Sequence, residues 1–254
     1  MLDVVKFAPE TIIWSADVPR EDIEKVIKTK ALPEGTVIKL DRLFFENQSK
    51  NFIDFCQGNG YPVFCDAKII EIPDKVMKIA ETYLSHKPFM LNVMAGICST
   101  LNFDHNEDEK QKEALRRFAE TCADAGTSSC AVTVLTSKSE WTCRQEFNLR
   151  NPEEQVLKYT FMLKESGMTD IVCSPKEAMA IKEQHGDRFS INTPGVRLPS
   201  SSKDDQQRVT TPHDALANGA DRLVIGRDLI RGDGDITERV KANYQKILDN
   251  IFEV

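Results

Sequence analysis

Along this chain, eight short apolar runs alternate with stretches whose apolar residues recur at helical spacing. The runs fall at 10–16, 35–40, 61–67, 88–94, 130–136, 169–173, 188–192 and 222–226. The helical patterns fall at 20–31, 46–58, 73–85, 109–125, 152–166, 175–185, 211–218 and 235–252. The last is the plainest, with Ile236, Val240, Tyr244, Ile247 and Ile251 on one face. Eight repeats of strand then helix predict an α/β fold, a single (β/α)₈ TIM barrel forming one domain over 1–254, and 254 residues is an ordinary length for one. An open doubly wound sheet suits the same alternation, but no G-x-G-x-x-G follows the first strand. Trp14, Phe44, Phe45, Met77 and Met90 are expected in the core.

Three connections are long, 96–108, 138–151 and 194–210, and all three follow strands. In a barrel they lie at the C-terminal ends of the strands, where loops build sites. Asp104, Glu107, Asp108 and Glu109 make 102–112 read as a solvated acidic loop, and Trp141 and Arg144 stand in the second connection.

The formal charge of −7 repels a phosphate backbone, so sequence-independent nucleic-acid binding is not expected. A small anion needs only a local basic site. The seven cysteines, Cys56, Cys65, Cys98, Cys122, Cys130, Cys143 and Cys173, form no C-x-x-C pair and read as reduced thiols of a cytoplasmic protein. The four histidines show no metal-ligand spacing, so no metal is expected. No run of 18 apolar residues and no basic-then-apolar start is present, which predicts a soluble chain without membrane attachment.

Charge interrupts the third strand. Asp66 and Lys68 are two residues apart in Pro62-Val-Phe-Cys-Asp-Ala-Lys, so both side chains leave one face. If that face is the barrel interior, each charge needs a partner, and Lys39 near the end of the second strand is an evident one. The same pattern suits a buried ion-pair network without chemistry, or a pair at a strand end facing solvent. Leu223-Val-Ile-Gly226-Arg227 ends the last strand with a glycine whose backbone could approach a phosphate and an arginine that could bind it bidentately. The same two residues would also suit a plain helix entry. Thr193-Pro194-Gly-Val-Arg197, followed by the polar stretch from Ser200 to Gln207, reads as a lid able to fold over a ligand.

Taken in order, Ala16-Asp17-Val-Pro19, Ile38-Lys39, Asp66-Ala-Lys68-Ile-Ile-Glu71-Ile-Pro73, Val132-Thr-Val-Leu-Thr-Ser137, Thr193-Pro-Gly-Val-Arg197, Asp205-Gln206-Gln-Arg208-Val209 and Val224-Ile-Gly-Arg227 resemble the orotidine 5′-monophosphate decarboxylase family. These segments span nearly the whole chain. The resemblance implies cofactor-independent conversion of orotidine 5′-monophosphate to uridine 5′-monophosphate, the last step of de novo pyrimidine nucleotide synthesis.

It also implies roles residue by residue. Asp17 would hold the ribose, Lys39 would orient the charged array, Asp66 would face the substrate carboxylate and Lys68 would donate the proton. Ser137 would contact the pyrimidine, Gln206 would bridge base and phosphate from the lid carrying Pro194 and Arg197, and Gly226 and Arg227 would bind the phosphate. A homodimer is implied, with Glu71 reaching into the partner's site. The family's pattern normally has aspartate at position 71, Asn-Thr where this chain has Asp74-Lys75, and histidine where it has Met94. Two other expectations stay open at this point: a related barrel enzyme acting on another phosphorylated nucleotide or a keto-sugar phosphate, and a nucleotide-binding homologue without chemistry.

Overall fold

A parallel strand inside a barrel is covered on both faces, so its sequence must be apolar or paired throughout. The strands obey this. They are β1 (Ile12–Ser15), β2 (Val37–Asp41), β3 (Val63–Ile69), β4 (Met90–Met94), β5 (Ser128–Val132), β6 (Asp170–Val172), β7 (Ser190–Thr193) and β8 (Arg222–Ile225), with few positions open to solvent. In the computed structural model, which describes residues 7–96, 105–148, 150–199 and 210–252 (backbone only for 105–108), each strand pairs in parallel with the next, and β1 pairs with β8. The barrel is therefore closed, and the open doubly wound sheet is ruled out.

Alternation along the strands separates two apolar regions. Ile12, Trp14, Ile38 and Leu40 point outward into the large core shared with the helices. Ile13, Val37, Phe64, Met90, Cys130 and Val224 meet inside the barrel as one packed layer. Trp14, Phe45, Met77 and Met90 are buried as expected, and Phe44 packs against the core from a half-buried position.

The helices are α1 (Arg20–Lys28), α2 (Arg42–Asn47), α3 (Asn51–Gly58), α4 (Pro73–Leu84), α5 (His105–Asp124), α6 (Glu140–Glu146), α7 (Pro152–Glu165), α8 (Pro175–His185), α9 (Pro212–Ala217), α10 (Arg227–Ile230) and α11 (Ile236–Phe252). Capping boxes open α7 and α8, where Asn151 pairs with Glu154 and Ser174 with Glu177.

Four boundaries differ from the sequence reading. The helix expected over 46–58 is two, because Asp41 accepts from the Phe44 amide and starts α2 early, while extended Gln48 ends it. The fifth strand begins at Ser128, as its register with Met90 requires, and ends at Val132. The second long connection contains α6, capped by Ser139, a short helix with no apolar stripe beyond Cys143. Residues 105–112, read as part of an acidic loop, are helical. No helix among the described residues is long and apolar enough to cross a membrane.

Candidate active site

At the C-terminal ends of the strands the apolar layer gives way to charge. Lys39 of β2 and Lys68 of β3 both reach the same carboxylate oxygen, Oδ2 of Asp66, at 2.7 Å and 2.6 Å. The other oxygen, Oδ1, accepts from the carboxamide of Asn92 on β4 at 2.7 Å. Lys39 and Asp66 are almost fully buried, whereas 41% of the Lys68 side chain is exposed. The period of two foreseen for Asp66 and Lys68 therefore does place both on the interior face, and register brings Lys39 beside them, opposite Phe64.

Burial raises the cost of a carboxylate, but Lys39 and Lys68 outweigh it and hold the Asp66 carboxyl well below the usual carboxylate range. For Lys39, burial likewise works against the charge; Asp66, Asp17 and Asp41 outweigh it and hold the ammonium above the ordinary lysine value. The buried Lys39–Asp66 pair is thus ionised on both sides at neutral pH.

A cavity of about 340 Å³ opens above this array. Asp17 lines it from the loop after β1, where Ser15 Oγ donates to its carboxylate at 3.0 Å. Ser137, Pro194 and Arg197 line it from the loops after β5 and β7. Gly226 and Arg227 close the remaining side at the start of α10. A Cβ on Gly226 would stand 3.3 Å from that of Ser15, tighter than ordinary contact, so a side chain there would crowd the strand ends. Among the described lining residues, Lys39, Lys68, Arg197 and Arg227 stand against Asp17 and Asp66, a surplus of cations in an acidic chain. Such a cavity attracts an anion.

The loop after β7 is anchored at its base. Thr210 pairs with Val196, the Arg197 amide donates to the Thr210 carbonyl at 2.9 Å, and the buried Asp228 of α10 accepts from the Leu198 amide at 2.7 Å. Gln206 lies outside the described residues.

Glu71 does not line the cavity: it is exposed just past β3, 3.8 Å from Lys75, with Ile70 and Ile72 exposed on either side. Met94 ends β4 and packs against the core. Trp141 is 72% exposed on α6.

Sequence reasoning missed Asn92, Ser15 and Asp228. For Asn92 a signal existed, a lone amide between Leu91 and Val93 in an otherwise apolar run, two residues from Met90 and so on the interior face. Asp228 gave no such signal, because its partner is 30 residues away.

An ammonium held at the floor of a cavity beside a carboxylate can stabilise negative charge developing on a bound ligand and pass a proton to it. Among the described residues, no group of three or more His, Cys, Asp or Glu stands close enough to hold a metal ion.

Residues 10–242 match the family described as Orotidine 5'-phosphate decarboxylase / HUMPS. The orotidine 5'-phosphate decarboxylase of Fusobacterium nucleatum is 33% identical over 246 residues, 96% of this chain and 96% of that protein. That of Syntrophomonas wolfei is 33% identical over 238 residues, 92% of this chain and 96% of its own. Among solved structures, orotidine 5'-phosphate decarboxylase from Lactobacillus acidophilus matches with a TM-score of 0.69 at 28% identity, covering 94% of this chain and 98% of that one. An uncharacterized conserved protein from Geobacillus kaustophilus matches with a TM-score of 0.70 at 27% identity, with 94% and 99% covered. By the span of the family match and the identity of these relatives, the chain belongs to the orotidine 5'-phosphate decarboxylase / HUMPS family.

Proposed function

We propose that this chain decarboxylates orotidine 5′-monophosphate to uridine 5′-monophosphate without a cofactor, as the last step of de novo pyrimidine nucleotide synthesis in the cytoplasm. The observation that carries this reading is one buried carboxylate shared by two ammonium groups at the floor of a cavity whose rim holds Gly226 and Arg227.

In this reading Arg227 and the Gly226 backbone hold the phosphate, Asp17 the ribose, and Ser137 the pyrimidine. Pro194 and Arg197 line the cavity wall, and Gln206 would bridge base and phosphate, as the resemblance implies. The substrate carboxylate then lies against Asp66, an unfavourable contact sustained by binding energy from the distant phosphate. The bond from the pyrimidine carbon to its carboxylate breaks, CO₂ leaves, and the electron pair stays on the carbon. Lys68 stabilises that charge and gives its proton to the carbon, while Lys39 keeps Asp66 ionised and in place. Two such chains would form a homodimer with composite sites, Glu71 of each reaching toward the other's cavity; its exposure between Ile70 and Ile72 supports that assignment.

The test is the absorbance change of orotidine 5′-monophosphate with purified protein, with and without chelator, and with Lys68→Ala. Metal-independent turnover lost in the variant is expected. Turnover that chelator abolishes, or a Lys68→Ala protein with full activity, would sink the mechanism.

A further inference from the structure

Between β3 and β4 the register breaks. Cys65 pairs with Leu91 and Ile69 with Val93, so four steps along β3 face two along β4. The two surplus residues lie in the segment Asp66-Ala67-Lys68, which carries the charges. Within it Lys68 has φ = 44°, a left-handed conformation that a side chain other than glycine rarely holds unless its surroundings impose it.

Asn92 is the one residue of β4 between those two pairings, and its side chain is fully buried. Its carboxamide oxygen accepts from the Lys68 amide at 2.7 Å, and its nitrogen donates to Asp66 Oδ1 at 2.7 Å. The orientation is dictated by the partners, since a backbone N–H can only donate and a carboxylate can only accept. One rigid plane therefore ties the backbone that aims Lys68 to the carboxylate that neutralises it.

We propose that Asn92 is a positioning residue for the decarboxylation, setting where the Lys68 ammonium and the Asp66 carboxylate stand relative to the reacting carbon. This rests on the role given to Lys68 above. Asn92 does not line the cavity, so it acts through those two groups and not by binding substrate.

Carboxamide chemistry supplies a sharp test. Asn92→Asp keeps an acceptor for the Lys68 amide but turns the donor facing Asp66 into a second carboxylate. Two carboxylates in contact share one proton, and that proton restores the lost hydrogen bond. The titratable groups facing position 92 are Asp66 and Lys68 on β3, Lys39 behind Asp66 on β2, and Cys130, its register partner on β5, with Asp170 beyond it on β6. Burial first, and then Asp170 and Asp66, push the Cys130 thiol well above its ordinary value, so it stays neutral throughout.

We would measure kcat and KM for orotidine 5′-monophosphate from pH 5 to 9 for the wild type, Asn92→Asp and Asn92→Leu. A loss of about 100-fold in kcat at high pH is expected for both variants, with KM nearly unchanged, as for a misplacement of about 1 Å. Asn92→Asp should recover as pH falls, and Asn92→Leu should not. Variants that keep wild-type kcat, or that raise KM alone, would overturn the role of Asn92. Should Asn92→Leu fail to fold, the pH profile of Asn92→Asp decides alone, and a profile parallel to wild type overturns the proposal. An inactive wild type would instead overturn the decarboxylase reading on which it rests.

Discussion

Two buried ionic networks lie inside this barrel, one at each end, separated by the apolar layer that includes Phe64 and Met90. At the N-terminal end, Asp170 accepts from Arg222 at 2.9 Å and from Asn192 at 3.3 Å, and the guanidinium lies 5.2 Å from the centre of the Phe89 ring. One carboxylate meets one cation there. At the C-terminal end one carboxylate meets two ammonium groups, one of them partly exposed to a cavity. Opposite signs of pKa displacement follow. Burial dominates at Asp170 and raises its carboxyl above the ordinary value in spite of Arg222, whereas at Asp66 the two lysines win. A balanced network closed by an aromatic ring is architecture, while a network with surplus cation facing empty space is arranged for a ligand. In barrels of this kind the C-terminal end carries chemistry and the opposite end stability.

The largest effect separating the two ends should be on turnover. Lys68→Ala is expected to lower kcat about ten-thousand-fold, the upper range for losing a general acid, whereas Asp170→Asn should leave kcat nearly unchanged. A comparable loss in both would erase the distinction. Stability should separate them next. Asp66→Asn removes the one carboxylate that Lys39 and Lys68 both contact, leaving the buried Lys39 only the more distant Asp17 and Asp41, and should cost about 3 kcal/mol in urea unfolding at neutral pH. Asp170→Asn removes a charge that burial disfavours and leaves Arg222 its contacts with Asn192 and the Phe89 ring, so it should cost less, about 1 kcal/mol.

Arg227→Ala sharpens the ligand reading of the open end. It should raise KM by about 10- to 100-fold through loss of a charged hydrogen bond to phosphate, read from initial rates over a wide substrate range. An unchanged KM would place the phosphate elsewhere.

The smallest effect is a pair of opposed pH slopes. Asp66, with a depressed carboxyl, contributes stability that is present above the ordinary carboxylate value and is lost as pH falls below it. Asp170, with a raised one, holds a proton that the unfolded chain has released, so its contribution grows as pH falls from that raised value toward the ordinary one. Unfolding free energies of wild type and of each Asp→Asn variant, taken from neutral pH down through the ordinary carboxylate value, would show the Asp170 difference moving in favour of wild type above that value and the Asp66 difference moving against it below. Parallel slopes would mean that the networks do not differ in this way.

Much of the site was legible because its spacing is local. Asp66 and Lys68 lie two apart on a strand, which fixes a shared face, and Gly226-Arg227 follows the last strand directly. The same cavity gathers Lys39, Pro194 and Arg197 with them, and also Asp17 and Ser137, which only the family resemblance had singled out. Asn92 was passed over because a single amide in an apolar run carries no motif, and its importance arises only from a bulge on the neighbouring strand. The α6 helix escaped for a related reason. It buries little beyond Cys143, and so has no stripe to betray it.

By itself the sequence determined the alternation of strand and helix, because hydrophobic period is written residue by residue, while closure into a barrel came with the pairing of β1 and β8. It also determined that Asp66 and Lys68 would leave one face of β3, though not that this face is the interior one. Only the tertiary structure decided which partners those charges meet. Lys39 and Asn92 come from 27 residues before and 26 residues after Asp66, and their meeting depends on how far each strand slides along the next as the barrel closes. That register is a collective outcome of eight pairings and one bulge, so no local stretch of sequence contains it.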